Sequence, residues 1–285
     1  MPKHKKVCLV NLGGFKNLFS IPVFLFNMFN DKNIIPANQP LRALISLFIT
    51  TMRLYGSFKI YSNKAQSPIY KITQQQSDKL QVKTDNKVEY GFSYSKPYYK
   101  KDCSKYIPLY SFYSHTTHGK LLKDAKSVSA PFCVFGEYLD LIEKKIKKAV
   151  EDIPNNYSFA IIFSAHSLPK KLIDKTNDTY KHDIEVFTDY FRKRFKFPLF
   201  LSFQSKLGPI EWLKPSTEDT IERVSDKYKA LILVPISFVS DNLETVYEID
   251  VQYKQKAELC GVKYFKRIDC FNDSDDFINF LSTIL

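Results

Sequence analysis

The sequence predicts an α/β protein built on parallel β-sheets, because apolar strand-like runs alternate with amphipathic helical patterns along most of the chain. A chain of 285 residues is long enough for one large domain or two of ordinary size. The number of alternating units favours two doubly wound halves, each a parallel sheet flanked by helices. The stretch KDAKSVSAP interrupts the pattern near Pro131, so the predicted domains are residues 1–131 and 132–285.

Seven runs rich in Val, Ile, Leu and Phe are the predicted strands. In chain order they are VCLVNL, KVEYGFSYS, KYIPLY, SFAIIFSA, LFLSFQS, ALILVPISF and VKYFKRI, which start at residues 7, 87, 105, 158, 199, 230 and 262. Open parallel sheets bind their ligands at the carboxyl ends of the strands. The polar residues that follow these runs are therefore the candidate functional residues.

Two long helices are predicted over 137–150 and 180–195, where apolar residues recur every three or four positions. Ser216 and Ser274 stand where the N-caps of two further helices are expected. The apolar segment Leu41–Met52 contains Arg42 and has only twelve positions, well short of the roughly 20 needed to span a bilayer. We interpret it as an ordinary buried helix; the alternative is the lip of a cleft resting on a membrane surface.

The formal net charge of +12 favours an anionic partner, such as nucleic acid, a lipid surface or an acidic small molecule. The basic clusters KHKK, EKKIKK and FRKRFKF accompany apolar helical positions and are interpreted as solvated faces. Nucleic-acid binding has charge as its only support, so we predict no nucleic-acid partner. The five cysteines are scattered without C-x-x-C spacing, which predicts no disulfide framework, zinc site or iron–sulfur site and favours a reducing compartment.

Acidic residues and a histidine follow the ends of neighbouring strands. Asp241, Glu244 and Glu248 are three and four residues apart, and Asp241 and Glu244 suit the first turn of a helix. Glu248 lies one turn further on, where a solvated face and a cation site both remain open. His166 follows another strand, either as a loop histidine bonded to backbone or as the partner of these carboxylates in a site for iron, cobalt or zinc.

Several segments resemble the signature segments of ferrochelatase, in the same order and at the same spacing. They are FSAHSLP, QSKLGPIEWLKPSTEDTIE and VPISFVSDNLETVYEID, together with NLGG, FNMFNDKNII, SPIYKITQQQ and IPLYSFYSHTTHG in the N-terminal half. The amino-acid sequences of these segments are most similar to those of the alphaproteobacterial and mitochondrial branch of the family. The resemblance implies two Rossmann-like, chelatase-type domains around a porphyrin cleft. It also implies a lyase of heme biosynthesis that inserts Fe(II) into protoporphyrin IX.

The resemblance also implies roles for particular residues. His166 matches the active-site histidine and Glu244 the metal-binding glutamate, and both are expected to act in catalysis and metal binding. Four residues are expected around them, in a second shell or on a proton or ion path: Asp241, Asn242, Glu248 and Asp250. Six more are expected at the porphyrin cleft: Tyr94, Tyr113, Ser114, Gln204, Ser205 and Trp212. The expected location is the cytoplasm, with the option of peripheral contact at the inner membrane.

The sequence departs from the family pattern at several points. The family's His-x-Glu pair reads Asn242-x-Glu244, and Asn cannot take up a proton. The family's Arg-Tyr pair reads Ser93-Tyr94, and about ten residues stand between Pro97 and Pro108, where the family has room for a helix. The chain stops at Leu285, before the extension that holds a 2Fe-2S cluster in some members, so no cluster is expected. A porphyrin- or heme-binding homologue with little turnover, or a chelatase for another metal, remains the alternative.

Overall fold

The computed structural model describes residues 5–62, 67–123, 125, 127–205 and 210–285. The N-terminal sheet has three parallel strands in the order β2-β1-β3. They are β1 (Lys6–Asn11), β2 (Lys87–Phe92) and β3 (Lys105–Pro108). Val10 pairs with Gly91 on one side and with Pro108 on the other, so the strand ends meet at one edge of the sheet.

The C-terminal sheet has four parallel strands in the order β5-β4-β6-β7. They are β4 (Phe159–His166), β5 (Leu199–Gln204), β6 (Ala230–Pro235) and β7 (Tyr264–Arg267). All six residues of β6 are buried, as continuous apolar strands in a sheet covered on both faces should be. The predicted α/β fold and all seven predicted strands are confirmed.

Ten α-helices, one 3₁₀ turn and one π-helix accompany the strands within the described ranges. The helices are α1 (Ser20–Phe29), α2 (Gln39–Ser62), α3 (Ile69–Val82), α4 (His118–Leu122), α5 (Gly136–Glu151), α6 (Lys170–Thr176), α7 (Tyr180–Arg194), α8 (Thr217–Ser225), α9 (Lys254–Leu259) and α10 (Asp275–Thr283), with the 3₁₀ turn Phe132–Val134 and the π-helix Glu244–Tyr253. Ser216 caps α8, since its Oγ accepts the N–H of Asp219 at 3.1 Å. Ser274 occupies the N-cap of α10 without a side-chain capping bond.

The crossover from β2 to β3 contains no helix, as its length predicts. Residues 93–104 join two parallel strands that lie on opposite sides of β1. The connection folds back against the end of β2, where Tyr98 bridges to Phe92. A Cβ atom on Gly91 would lie 2.4 Å from the Cα of Tyr99, so only glycine allows this close return.

One apolar core connects the two sheets. Leu9 and Ile107 of the N-terminal sheet belong to the same buried cluster as Ile161, Phe163 and Ile232 of the C-terminal sheet. Helices α5, α7 and α10 each supply four further side chains to it. The domain boundary near Pro131 stays a prediction, because strands on either side of it contribute to this shared core.

The favoured interpretation of Leu41–Met52 as an ordinary buried helix was wrong, because one side of helix α2 is exposed. Its small residues Ser46 and Thr50 are buried on the side towards α1. Large apolar side chains stand on the exposed side, here called the α2 apolar face: Leu41, Leu44, Leu47, Phe48, Met52 and Tyr55. Composition alone could not reveal which side packs. Within the described ranges, no helix combines the length and the apolar character required to cross a bilayer.

Candidate active site

A cleft of about 590 Å³ opens where the carboxyl ends of both sheets face each other. Part of its apolar wall comes from α1, through Phe24, Leu25 and Phe29. Its polar side carries His166 from the end of β4 and Ser205 from the end of β5. The volume is typical of a site for a small molecule.

His166 is the last residue of β4, and its backbone is fixed from two sides. Its N–H donates to Ser237 Oγ at 3.0 Å, and the hydroxyl of Tyr180 donates to its carbonyl oxygen at 2.8 Å. Tyr180 and Ser237 also share a hydrogen bond of 2.8 Å. The imidazole is thereby held at the cleft wall, with Nδ1 2.8 Å from Oε2 of Glu244.

Glu244 opens the π-helix, and the chain before it determines where that helix starts. The side-chain oxygen of Asn242 accepts the backbone N–H of Glu244 at 2.8 Å and that of Thr245 at 3.3 Å. In return, the Asn242 N–H donates to Thr245 Oγ1 at 3.0 Å. Asn242 thus acts as a helix cap, a role for which asparagine is well suited.

Ser205 stands between the two glutamates that line the cleft. Its Oγ lies 2.7 Å from Oε2 of Glu244 and 2.5 Å from Oε2 of Glu248, and its backbone N–H donates to Glu248 Oε1 at 2.8 Å. The hydroxyl has one hydrogen, so it donates to one carboxylate at a time. Ser205 has φ +68°, a left-handed conformation that costs a non-glycine residue energy and is common at functional sites.

The protonation of the site follows from these contacts. Burial opposes the charged form of His166, but the adjacent Glu244 outweighs it and raises the imidazole pKa. Burial acts to raise the pKa of Glu244, yet His166 lowers it overall. Burial and the charge of Glu244 raise the pKa of Glu248, which also accepts a 2.5 Å hydrogen bond from Tyr253. The three groups therefore form a coupled set with unequal proton affinities.

The π-helix separates the predicted acidic row into two groups. Its i→i+5 hydrogen bonds widen the turn, and Glu244, Glu248 and Gln252 all reach the cleft. Asp241 and Asp250 instead pair with Arg267, whose nitrogens lie 2.7 Å from an oxygen of each. The structure therefore does not place Asp241 and Asp250 in line with Glu244 and Glu248. Both carboxylates form salt bridges with this one guanidinium.

The six predicted cleft residues have different positions. Ser114, Ser205 and Trp212 line the cleft. Gln204 lies behind it, where its amide approaches Glu244 Oε2 at 3.4 Å. Tyr94 and Tyr113 are not on the wall: the Tyr94 hydroxyl donates to Asp31 at 2.9 Å, and the Tyr113 ring lies 5.9 Å from that of His118.

The sequence interpretation missed two residues at the site. Arg53 reaches the cleft from α2, and Tyr253 reaches it from the end of the π-helix. No strand end precedes either of them. Tyr253 lies five positions after Glu248, a spacing that is informative only once the π-helix is known.

Chemically, the site joins a proton acceptor, two carboxylates and an apolar cleft. His166 Nδ1 is engaged by Glu244, while Nε2 makes no hydrogen bond within the described ranges. A nitrogen and a carboxylate oxygen are ligands that suit a divalent transition metal, and two ligands leave most coordination positions open. Such a site suits a metal that passes through.

Comparisons with known proteins agree along the whole chain. A family model described as Ferrochelatase matches residues 4–285. The ferrochelatase of Rickettsia felis is 36% identical over 312 residues, covering 100% of this chain and 90% of that protein. The ferrochelatase of Nitratiruptor sp. is 35% identical, covering 98% of each chain.

Solved structures show the same type of fold at low identity. SirB from Bacillus subtilis, solved with Fe³⁺, gives a TM-score of 0.52 at 7% identity, covering 98% of this chain and 94% of that chain. A multi-domain protein of Deinococcus radiodurans with structural similarity to chelatases gives 0.54 at 9% identity, covering 98% of this chain and 54% of that one. The two-sheet chelatase-type fold is therefore confirmed.

Proposed function

The chain belongs to the ferrochelatase family, and we propose that His166 and Glu244 are the residues with which it inserts Fe(II) into protoporphyrin IX. The enzyme is a lyase of heme biosynthesis, and its product is protoheme. The 2.8 Å contact between His166 Nδ1 and Glu244 Oε2, on the wall of an apolar cleft, is the observation that carries the assignment of roles.

The reaction replaces two pyrrole N–H protons by one Fe(II) ion, so the site must accept protons and attract a cation. His166 Nε2 is the proton acceptor, and Glu244 orients the ring through Nδ1 and stabilises the imidazolium that forms. Glu244 and Glu248 supply the negative charge that draws Fe(II) towards the ring. Ser205 Oγ connects the two carboxylates and offers a route along which a proton moves away from the metal.

The apolar wall of the cleft suits a flat aromatic ligand such as a porphyrin. Phe24, Phe29 and Leu25 are buried side chains of α1 that line the cleft, and Trp212 adds an aromatic ring near the end of β5. An aromatic macrocycle gains from both burial and ring contacts at such a surface. These side chains hold the ring while the polar groups act at its centre.

We further propose a cytoplasmic enzyme that touches a membrane peripherally. The α2 apolar face is exposed, and Arg53 and Ser57 of the same helix line the cleft. A porphyrin is poorly soluble in water, so a cleft whose rim rests on lipid would exchange it without full exposure. Exposed apolar surface of this kind commonly marks a contact with a membrane or another protein.

The second candidate function is a porphyrin-binding protein with little turnover, and a chelatase for another metal such as cobalt is a separate alternative. The observation that favours the porphyrin-binding protein is Asn242, which caps a helix where the family's pattern has a second histidine. The binding hypothesis predicts that His166→Ala barely changes the affinity for porphyrin. The catalytic reading predicts that the same substitution abolishes metal insertion.

The deciding experiment follows heme formation under anaerobic conditions. Purified protein is supplied with Fe(II) and protoporphyrin IX, beside His166→Ala, Glu244→Gln and the surface control Glu222→Gln. We expect multiple turnovers for the unaltered protein and the control, and losses of at least 100-fold in both site variants with porphyrin binding retained. Porphyrin binding without turnover, with iron, cobalt or zinc, would establish the second candidate instead.

A further inference from the structure

A second cavity of about 400 Å³ lies between the end of α1, the start of α2 and the crossover that follows β2. We call it the α1–α2 cavity. None of the described residues lines both this cavity and the cleft. The polar residues that decide its chemistry are Asn30, Asp31, Lys32, Arg42, Tyr98 and Lys120.

Positive charge exceeds negative charge in the α1–α2 cavity. Lys32, Arg42 and Lys120 bring three cations, and Asp31 is the one carboxylate among its described lining residues. Lys120 Nζ lies 2.8 Å from Oδ2 of Asp31, so these two charges offset each other. Lys32 and Arg42 form no ion pair with a described acidic side chain. Two positive charges are therefore left for a ligand, and the net charge of +12 likewise favours an anionic partner.

The carboxylate of Asp31 is already fully hydrogen-bonded, which argues against a cation as the ligand. Its Oδ1 accepts the backbone N–H of Asn33 at 2.8 Å and the Asn33 side-chain amide at 2.9 Å. Its Oδ2 accepts the Tyr94 hydroxyl at 2.9 Å in addition to the Lys120 ammonium. A metal ion would find no other carboxylate among the described residues of this cavity.

The guanidinium of Arg42 is held in place at the cavity wall. Its Nε donates to the Asn30 carbonyl oxygen at 2.8 Å, and one terminal nitrogen donates to the Ala37 carbonyl oxygen at 2.8 Å. The other terminal nitrogen has no described acceptor, so its N–H groups remain for a ligand. A fixed guanidinium of this kind suits the oxygens of an oxyanion.

Uncharged donors without a described acceptor line the same cavity. The Tyr98 hydroxyl accepts from Asn27 Nδ2 at 3.0 Å, which leaves its own hydrogen for another acceptor. The Ser93 hydroxyl and the Asn30 side chain also line the cavity, and neither forms a hydrogen bond with a described residue. Charge and free donors thus meet in one place.

From these groups we propose that the α1–α2 cavity binds a phosphate group. Arg42 and Lys32 supply the charge, and Tyr98 and Ser93 supply hydroxyl donors. A phosphate monoester carries a charge of about −1.5 to −2 at pH 7 and three acceptor oxygens, which matches two uncompensated cations and several free donors. The proposal goes beyond the chelatase reaction, since this cavity is separate from the cleft.

Two sources supply such a group: a free phosphate or phosphate ester, and the headgroup of an anionic phospholipid. Arg42 directly follows Leu41 and stands two positions before Leu44, and both leucines belong to the α2 apolar face. A phospholipid in contact with that face presents its phosphate on the same helix as Arg42. The two sources are distinguished by experiment.

Calorimetric titration with inorganic phosphate and with glycerol 3-phosphate, at constant ionic strength, tests the free ligand. We expect Lys32→Met and Tyr98→Phe each to weaken binding by at least about fivefold, because each removes one hydrogen bond to a charged group. Both side chains are exposed, so both variants should fold. Lys32→Arg retains the charge and should bind within about threefold of the unaltered protein. Lys263→Met is the matched control, since Lys263 is an exposed lysine that does not line the cavity.

Cosedimentation with vesicles of phosphatidylcholine, with and without phosphatidylglycerol, tests the lipid headgroup. If the headgroup is the ligand, Lys32→Met and Tyr98→Phe should each lower the preference for phosphatidylglycerol by at least about fivefold, and Lys263→Met should leave it unchanged. Tyr98→Phe removes a donor without changing the charge. A preference that falls in Lys32→Met but not in Tyr98→Phe would therefore reflect surface charge alone and would overturn the site.

Weaker phosphate binding in both variants, or a lower lipid preference in both, would support the site and identify its source. Unchanged values in both experiments, equal changes in Lys263→Met, or failure of the unaltered protein to bind any of the probes would overturn it. Heme formation is not a readout of either experiment, so these outcomes leave the chelatase proposal as it stands.

Discussion

The contact between His166 and Glu244 determines when each group is charged. Glu244 holds the pKa of His166 above its usual 6.5, against the effect of burial. His166 in turn holds the pKa of Glu244 below its usual 4.5. The stabilisation of the fold by this pair is fully present between about pH 4.5 and 6.5. It is lost as pH rises through the raised pKa of His166, or falls through the lowered pKa of Glu244.

Replacing Glu244 by Gln should lower the pKa of His166. The substitution removes the main anion that favours the imidazolium, whereas burial still disfavours it. Titration of the His166 ring by NMR measures the change directly. Glu222→Gln removes a surface carboxylate that pairs with Lys256 and should leave the His166 titration unchanged. An unaltered or higher His166 pKa in Glu244→Gln would show that the two side chains are not in contact in solution.

The sequence predicted a site residue where that residue stands at the end of a strand or in the segment that follows it. His166, Ser205 and Glu244 follow buried strands, and the sequence pattern was enough to bring them to one edge of the sheet. Arg53 was not predictable, because it lies in the middle of a helix and reaches the cleft only through the packing of α2 on α1. Tertiary packing of this kind leaves no periodic signal in the sequence.

Hydrogen bonds around the π-helix explain why the like-charged side chains of Glu244 and Glu248 can lie close together. Glu248 accepts hydrogen bonds from the Ser205 N–H and the Tyr253 hydroxyl, and the Ser205 hydroxyl donates to Glu244 or to Glu248. Asp250, which the family resemblance groups with them, pairs with Arg267 instead. It lies two positions after Glu248, a spacing that puts two side chains on different sides of a helix, so the residue pattern alone does not group them.

Asn242 should matter for the stability of this element. Asn242→Ala removes the acceptor for the N–H groups of Glu244 and Thr245 and is expected to lower the free energy of unfolding by about 1 kcal/mol. Asn242→Ser preserves a capping oxygen and should retain most of the stability. Urea denaturation of the three proteins measures the difference. Equal stability of Asn242→Ala and the unaltered protein would contradict the capping role.

The α2 apolar face makes a prediction about membranes. The double substitution Leu44→Glu and Phe48→Glu places two charges on this face and should reduce cosedimentation with lipid vesicles at least fivefold. The matched control is Val186→Glu with Leu259→Glu, two exposed apolar residues elsewhere. If both double variants sediment like the unaltered protein, lipid binding does not involve α2. The folded state should persist in both, since all four side chains are exposed.

On the scale of the whole molecule, helix α3 of the N-terminal half forms hydrogen bonds with loops next to the site in the C-terminal half. Gln76 is fully buried and donates through Nε2 to Ser240 Oγ at 3.0 Å and to the Asn272 carbonyl at 2.7 Å. Asn272 also donates to Asp241 at 2.7 Å. The loop leading to the π-helix is therefore positioned by both halves of the chain. The alternating strand and helix patterns predicted the two sheets, but not this connection, because it joins Gln76 to residues 164 and 196 positions further along the chain.

The shared core and the Gln76 contacts lead us to propose that residues 1–131 and 132–285 are two architectural units that unfold together. Fluorescence of Trp212, which reports on the second unit, and far-UV ellipticity, which reports on both, should give one coincident transition in urea. Gln76→Ala should lower its midpoint, since unpaired buried partners cost about 1–3 kcal/mol. Gln74→Ala, which alters an exposed glutamine of the same helix, is the control. Separation of the two signals in the unaltered protein would instead mean that each unit is stable alone, and that the shared core only docks them.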